Sequence, residues 1–117
     1  MTRPLRRGDI ILVPFPFTDL TTLKYRPAVI LTPEPTGPDL VVAYLSSATP
    51  VEPLPPTHLL VSSGHPEFPD TGLKRTSVIR LDKLMTIARS RIRRRLGHLG
   101  PSLLSQMEAH LRSAFGL

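Results

Sequence analysis

The 117-residue chain contains no cysteine. Disulfides, thiolate nucleophiles and cysteine-based zinc sites are thereby excluded. The absence fits a reducing compartment. Long hydrophobic runs are missing too: no apolar stretch approaches the roughly 18 residues that a membrane span needs. Arg3, Arg6 and Arg7 precede an apolar run at residues 10–17, which superficially resembles a signal peptide. Asp9 interrupts that pattern, Pro14 and Pro16 sit within it, and no small-residue cleavage site follows. We therefore expect no membrane partner and a cytoplasmic location. No phosphate-cradling glycine loop is present, and Gly97 and Gly100, the one close glycine pair, read as a plain loop. His58, His65, His98 and His110 have neither HxxxH nor HExxH spacing, so we expect no metal site and no cofactor. The acids are few and scattered, five Asp and four Glu, with no paired-carboxylate motif. A GxSxG serine elbow is absent. Chemistry is left to Arg, Ser, Thr and His.

What the chain does have is positive charge. Lys and Arg number 15 against 9 Asp and Glu, for a net charge of +6. A domain this basic points to a polyanionic partner. Twelve of the 15 cations are Arg, whose planar fork matches phosphate oxygens. Forty per cent of residues are apolar, enough for a folded core and against disorder. The length predicts a single domain over residues 1–117.

Short apolar runs at 10–13, 28–31 and 40–45 are rich in β-branched residues and bounded by Pro, Gly or Asp, and a fourth at 59–62 follows a proline-rich stretch. They predict buried strands. A further strand is predicted over 77–81, continuing toward 84–87. Nine of the 14 prolines fall between Pro33 and Pro69, in the connections, where they restrict the backbone without entering strand centres. From Pro101 the period changes. Leu104, Met107, Leu111 and Phe115 form one stripe at spacings of 3, 4 and 4, which predicts an amphipathic helix over about 101–115. The fold class expected is mainly β: a strongly bent sheet or barrel over about 8–95 with a C-terminal helix packed on it.

Four segments carry functional information: GDIILVPFPFTD from Gly8, KYRPAVIL from Lys24, LVVAYLSS from Leu40, and SVIRLDKLMTI from Ser77. Taken in this order they span most of the chain. Together they resemble the MazF/PemK family of toxin endoribonucleases. The resemblance implies an SH3-like barrel of the CcdB/PemK type, a homodimer, cleavage of single-stranded RNA, and a cognate antitoxin with an acidic segment. It also implies binding to DNA together with that antitoxin. The family's catalytic arginine lies in its RPA motif, which here begins at Arg26. On the residues alone, Arg26 before Pro27 is biased to extended backbone and can grip a phosphate bidentately, although a lone Arg-Pro is more often a surface cation. The family's catalytic threonine aligns with Ser46. The hydroxyl is kept and the β-branch is lost, which loosens χ1; Ser47 is the alternative. A hydroxyl at a strand end also suits an ordinary turn.

The loop between Thr18 and Arg26 is shorter than in many family members, so base preference does not carry over. Lys24, Tyr25, Thr18, Ser47, Arg80 and Lys83 are the expected RNA contacts. Tyr25 is the better candidate for stacking on bases, because Phe15 and Phe17 share one face of an alternating strand and fit a core equally well. Residues 74–95 hold nine cations against one acid, Asp82, and supply a field for tracking a phosphate backbone. Asp82 and Lys83 are expected to pair locally or to face the dimer seam. Thr86 aligns with a family turn and is expected to stabilise the fold. The reaction implied is attack of a ribose 2′-hydroxyl on the adjacent phosphate, leaving a 2′,3′-cyclic phosphate and a 5′-hydroxyl. DNA lacks that nucleophile. Two rivals remain: a non-catalytic CcdB-like toxin that binds a protein such as gyrase, and a plain nucleic-acid-binding barrel.

Overall fold

The β-branched runs pair with one another because each is apolar on both faces, and only a curled sheet buries both. The computed structural model describes residues 3–15, 24–47 and 53–117. Six strands form one sheet: β1 (Asp9–Pro14), β2 (Tyr25–Ile30), β3 (Asp39–Ser46), β4 (His58–Val61), β5 (Ser77–Ala88) and β6 (Arg94–His98). Their order is β4-β5-β3-β2-β1-β6, and every pairing is antiparallel. One helix, α1 (Pro101–Ala114), follows. This is the mainly β architecture with a C-terminal helix that the sequence predicts.

Side-chain alternation divides the core in two. On one face Ile10, Val29, Ala43, Leu45, Ile79 and Leu81 join Leu103 and Met107 of α1. On the other, Ile11, Val13, Ala28, Ile30, Val42 and Tyr44 join Ile87. Each fully buried aliphatic side chain contributes about 1.5–3 kcal/mol by burial. Leu5, Phe15, Met85 and Ile92 rim the second cluster.

β5 is one long strand, but it is sharply irregular. Ala43 pairs with Leu84 and Leu45 with Ile79. Arg80, Leu81, Asp82 and Lys83 thus stand opposite Tyr44 alone. Leu81 turns into the core at 1% exposure, while the charged residues around it bend outward. Thr86 lies inside this strand, paired with Val41 and exposed, rather than in a turn.

β6 departs from the expectation of a barrel that ends near 95 and a loop at 97–100. Here the strand runs to His98 along β1. Gly97 is required there: a Cβ would overlap the Asp70 carbonyl of the short 3-10 turn at Phe68–Thr71. The helix buries most of the expected stripe: Met107 is buried, Leu104 and Leu111 pack on the same core, Leu103 is buried beside them, and Phe115 departs from the stripe at 57% exposure. Two contacts tie the helix to the rest of the chain. The Glu67 carboxylate accepts from the Ser102 and Leu103 amides at 3.0 and 2.9 Å, and Arg7 meets Glu108 at 3.0 Å. Buried Asp9 anchors the start of β1. It accepts from Arg3 at 2.6 and 3.2 Å and from the Arg6 amide at 2.9 Å.

Candidate active site

The period-two rule places Arg26 on the same sheet face as Ala28 and Ile30, and Ser46 on the same face as Tyr44 and Val42. That face ends in a cleft of about 400 Å³ where the second cluster opens to solvent. Arg26, Ser46, Arg80 and Lys83 line it, with Phe15, Tyr44, Leu45, Leu84 and Met85. The bend in β5 brings Arg80 and Lys83 round to face the ends of β2 and β3.

Arg26 is the second residue of β2, opposite Val13. Pro27 after it favours extended backbone. The exposed guanidinium lies 4.9 Å above the centre of the Phe15 ring. Phe15 in turn stands edge-on to Tyr44, with centroids 5.5 Å apart and planes at 83°. A cation over an aromatic face at an exposed site is worth about 0.5–1 kcal/mol, so Phe15 restricts where Arg26 points. The Tyr44 hydroxyl donates to the Pro14 carbonyl at 3.3 Å. Burial raises its pKa, so it stays a neutral phenol at physiological pH. Ser46 ends β3, half-buried and opposite Val78.

Arg80 and Asp82 form a fork-to-fork pair. Arg80 Nε donates to Asp82 Oδ1 at 2.9 Å and Nη2 donates to Oδ2 at 2.8 Å. His58 Nε2, from β4, stands 3.4 Å from the same carboxylate. The Arg80 hydrogen bonds hold the Asp82 carboxyl well below the usual range, and the same contacts raise the Arg80 pKa. Asp82 therefore pairs with Arg80 and His58, not with Lys83.

Of the residues singled out in the sequence, the cleft gathers Arg26, Ser46, Arg80 and Lys83. Lys24, Tyr25 and Ser47 are not among its walls. Lys24 is exposed, and its carbonyl accepts the Phe15 amide at 2.8 Å. Tyr25 is half-buried with the Arg93 guanidinium 5.1 Å above its ring. Ser47 is exposed just beyond β3. Thr18 and Phe17 lie outside the described residues. The basic run does not act as one surface: Arg89 donates to the Gly37 carbonyl at 3.0 Å, and Arg95 lies 3.9 Å from Asp9. Sequence reasoning missed Tyr44 and Met85. The available signal was that Tyr44 sits two residues before Ser46 on the same face. Among the described residues, no group of three or more His, Asp or Glu side chains is gathered to hold a metal ion, and no helix is long and apolar enough to cross a membrane.

Among the described residues, a curled antiparallel sheet with one helix carries at its open end a cleft lined by three cations, a serine and two aromatic rings. Residues 6–115 match the family model of the PemK-like, MazF-like toxin of type II toxin-antitoxin systems, and the chain belongs to that family. Solved structures agree. An endoribonuclease in complex with its cognate antitoxin from a mycobacterial species is 20% identical, with 97% of each chain covered and a TM-score of 0.71. The Mycobacterium tuberculosis toxin MazF-mt6 is 26% identical over 93% of this chain and 97% of its own, with a TM-score of 0.71. MazE-MazF from Deinococcus radiodurans is 19% identical over 97% of each chain, with a TM-score of 0.70. No curated protein matches the chain by sequence.

Proposed function

We propose that this toxin is an endoribonuclease that cleaves single-stranded RNA without a metal ion. The reading rests on one observation: Arg26 and Ser46 line the same cleft as two further cations, Arg80 and Lys83. The ribose 2′-hydroxyl attacks the adjacent phosphorus, and negative charge grows on the non-bridging oxygens. Arg26 stabilises that charge and Ser46 donates a hydrogen bond to it. A donor aimed at such a developing charge is worth about 3–4 kcal/mol of barrier. The 2′-hydroxyl proton passes to water, and the departing 5′-oxygen takes a proton from water, giving a 2′,3′-cyclic phosphate and a 5′-hydroxyl. Tyr44, held protonated with its one hydrogen on the Pro14 carbonyl, does not act as a base. Phe15 orients Arg26 and offers its ring edge to a base.

The same cations suit an antitoxin whose acidic segment occupies the cleft in place of RNA. We also propose a homodimer. Val41, Phe115 and Leu117 are exposed apolar residues beside one groove, with Leu31, Leu84 and Leu111; contiguous exposed apolar surface of this kind usually marks a contact face. A cytoplasmic location is part of the same proposal, because it fits an RNA substrate and an antitoxin partner.

The nucleophile can be tested directly. An RNA oligonucleotide that the protein cuts at one bond is remade with a single 2′-deoxy nucleotide on the 5′ side of that bond. The cut disappears if the 2′-hydroxyl is the attacking group. A cut that persists refutes the mechanism.

A further inference from the structure

Resting on the reading of the cleft as an RNA site, we propose that Asp82 is a positioning residue for RNA binding. Its carboxylate grips one edge of the Arg80 guanidinium and leaves the other edge to grip a phosphate.

An acid beside a cleft that must receive a polyanion, although not among its walls, is unfavourable on Coulombic grounds alone. Asp82 nevertheless stands two residues from Arg80, on the bend that turns Arg80 into the cleft. Its two oxygens take Nε and Nη2 of Arg80 at 2.9 and 2.8 Å. A guanidinium carries five N–H groups in one plane. With those two engaged, one Nη1 hydrogen and the second Nη2 hydrogen remain side by side on another edge, in the spacing that fits two phosphate oxygens. A free arginine chain would have to be ordered on binding, at a cost in rotamer freedom; a clamped one is ordered already.

An isolated exposed ion pair contributes little order. This one has a third member. His58, on the neighbouring strand, stands opposite Arg80 in the β4–β5 register and brings Nε2 to 3.4 Å from Asp82. The carboxylate is thus held from two strands, and Arg80 inherits that fixity.

The test sets position against charge. Wild type, Asp82→Asn, Arg80→Ala and the double variant are titrated with a fluorescein-labelled single-stranded RNA carrying 2′-O-methyl groups, which cannot be cut, across a range of salt. Melting curves check that each is folded. If Asp82 positions Arg80, Asp82→Asn weakens binding roughly fivefold although the site has become more positive. The salt slope flattens by about 0.7 in both single variants, one phosphate contact on a single strand. In the Arg80→Ala background, Asp82→Asn costs nothing further. Asp82→Ala, which also removes the side-chain acceptor, carries the same expectations and serves if the Asn variant fails to fold. Binding that is unchanged or tighter in Asp82→Asn overturns the inference and leaves the RNA-binding reading intact. Wild-type protein that binds no RNA overturns that reading, and this inference falls with it.

Discussion

Arg26 and Ser46 come from different strands and meet at one cleft because each obeys a local rule. Pro27 holds Arg26 extended, and period-two alternation puts Ser46 on the face of Tyr44. Their legibility in the sequence was unequal to that of their neighbours for the same reason. Arg26, which opens the RPA segment, and the strand-end hydroxyl of Ser46 stand out through the family resemblance of those segments, since on the residues alone they read as a surface cation and a turn. The Phe15 ring beneath Arg26 depends on how β1 and β2 pair, and Tyr25, the ring favoured by sequence, is instead covered by Arg93. At Ser46 the expected outcome is specific. Ser46→Ala lowers kcat by roughly 100- to 1000-fold, the loss of one donor to the developing charge, with little change in KM. Ser46→Thr keeps the hydroxyl and stiffens χ1, so it retains cleavage. Single-turnover kinetics on one RNA substrate measure both. A loss at Ser47→Ala instead would move the role to that neighbour.

Five strands and the helix were legible because their apolar runs have the right length and period. β6 was not, since RRLGH has one large apolar residue and its glycine looks like a breaker. It is a strand because β1 offers an edge and because Gly97 lets the Phe68–Thr71 turn approach. The cap of the helix was hidden for another reason: Glu67, which accepts from the Ser102 and Leu103 amides, lies more than 30 positions away. That carboxylate supplies the cap that Gly100 cannot, and a Cβ at residue 100 would collide with it. The Leu103 and Ser102 amides lower its pKa. Folding therefore releases its proton more readily than the unfolded chain does. The stability gained is present above the usual carboxylate range and fades as pH falls through that range toward the lower folded value. Thermal melts of Glu67→Gln should show a lower melting temperature at pH 7 and a shallower decline below about pH 4.5 than wild type. Equal melting temperatures at pH 7 would mean the cap stabilises nothing.

For the whole molecule, the two cores divide the work. The face that packs on α1 holds the barrel together, while the other runs out into the cleft, so the site sits where burial stops. The apolar groove beside Phe115 lies apart from the cleft walls, although Leu84 borders both. If that groove seats a second copy, sedimentation equilibrium gives twice the 13.0 kDa chain mass. Phe115→Asp shifts the population toward monomer while the fold survives, because Phe115 is exposed within one protomer. A wild-type protein that sediments as a monomer at micromolar concentration contradicts the dimer.

The central claim is that this cleft cuts RNA with its own cations and hydroxyls. The most direct test incubates wild type and Arg26→Ala with a long mixed-sequence RNA in EDTA and maps the product ends. We expect discrete cuts with 2′,3′-cyclic phosphate ends from wild type, and a rate lower by roughly 100- to 1000-fold from the folded variant. Intact RNA with wild type, or cutting that survives Arg26→Ala undiminished, would contradict the account.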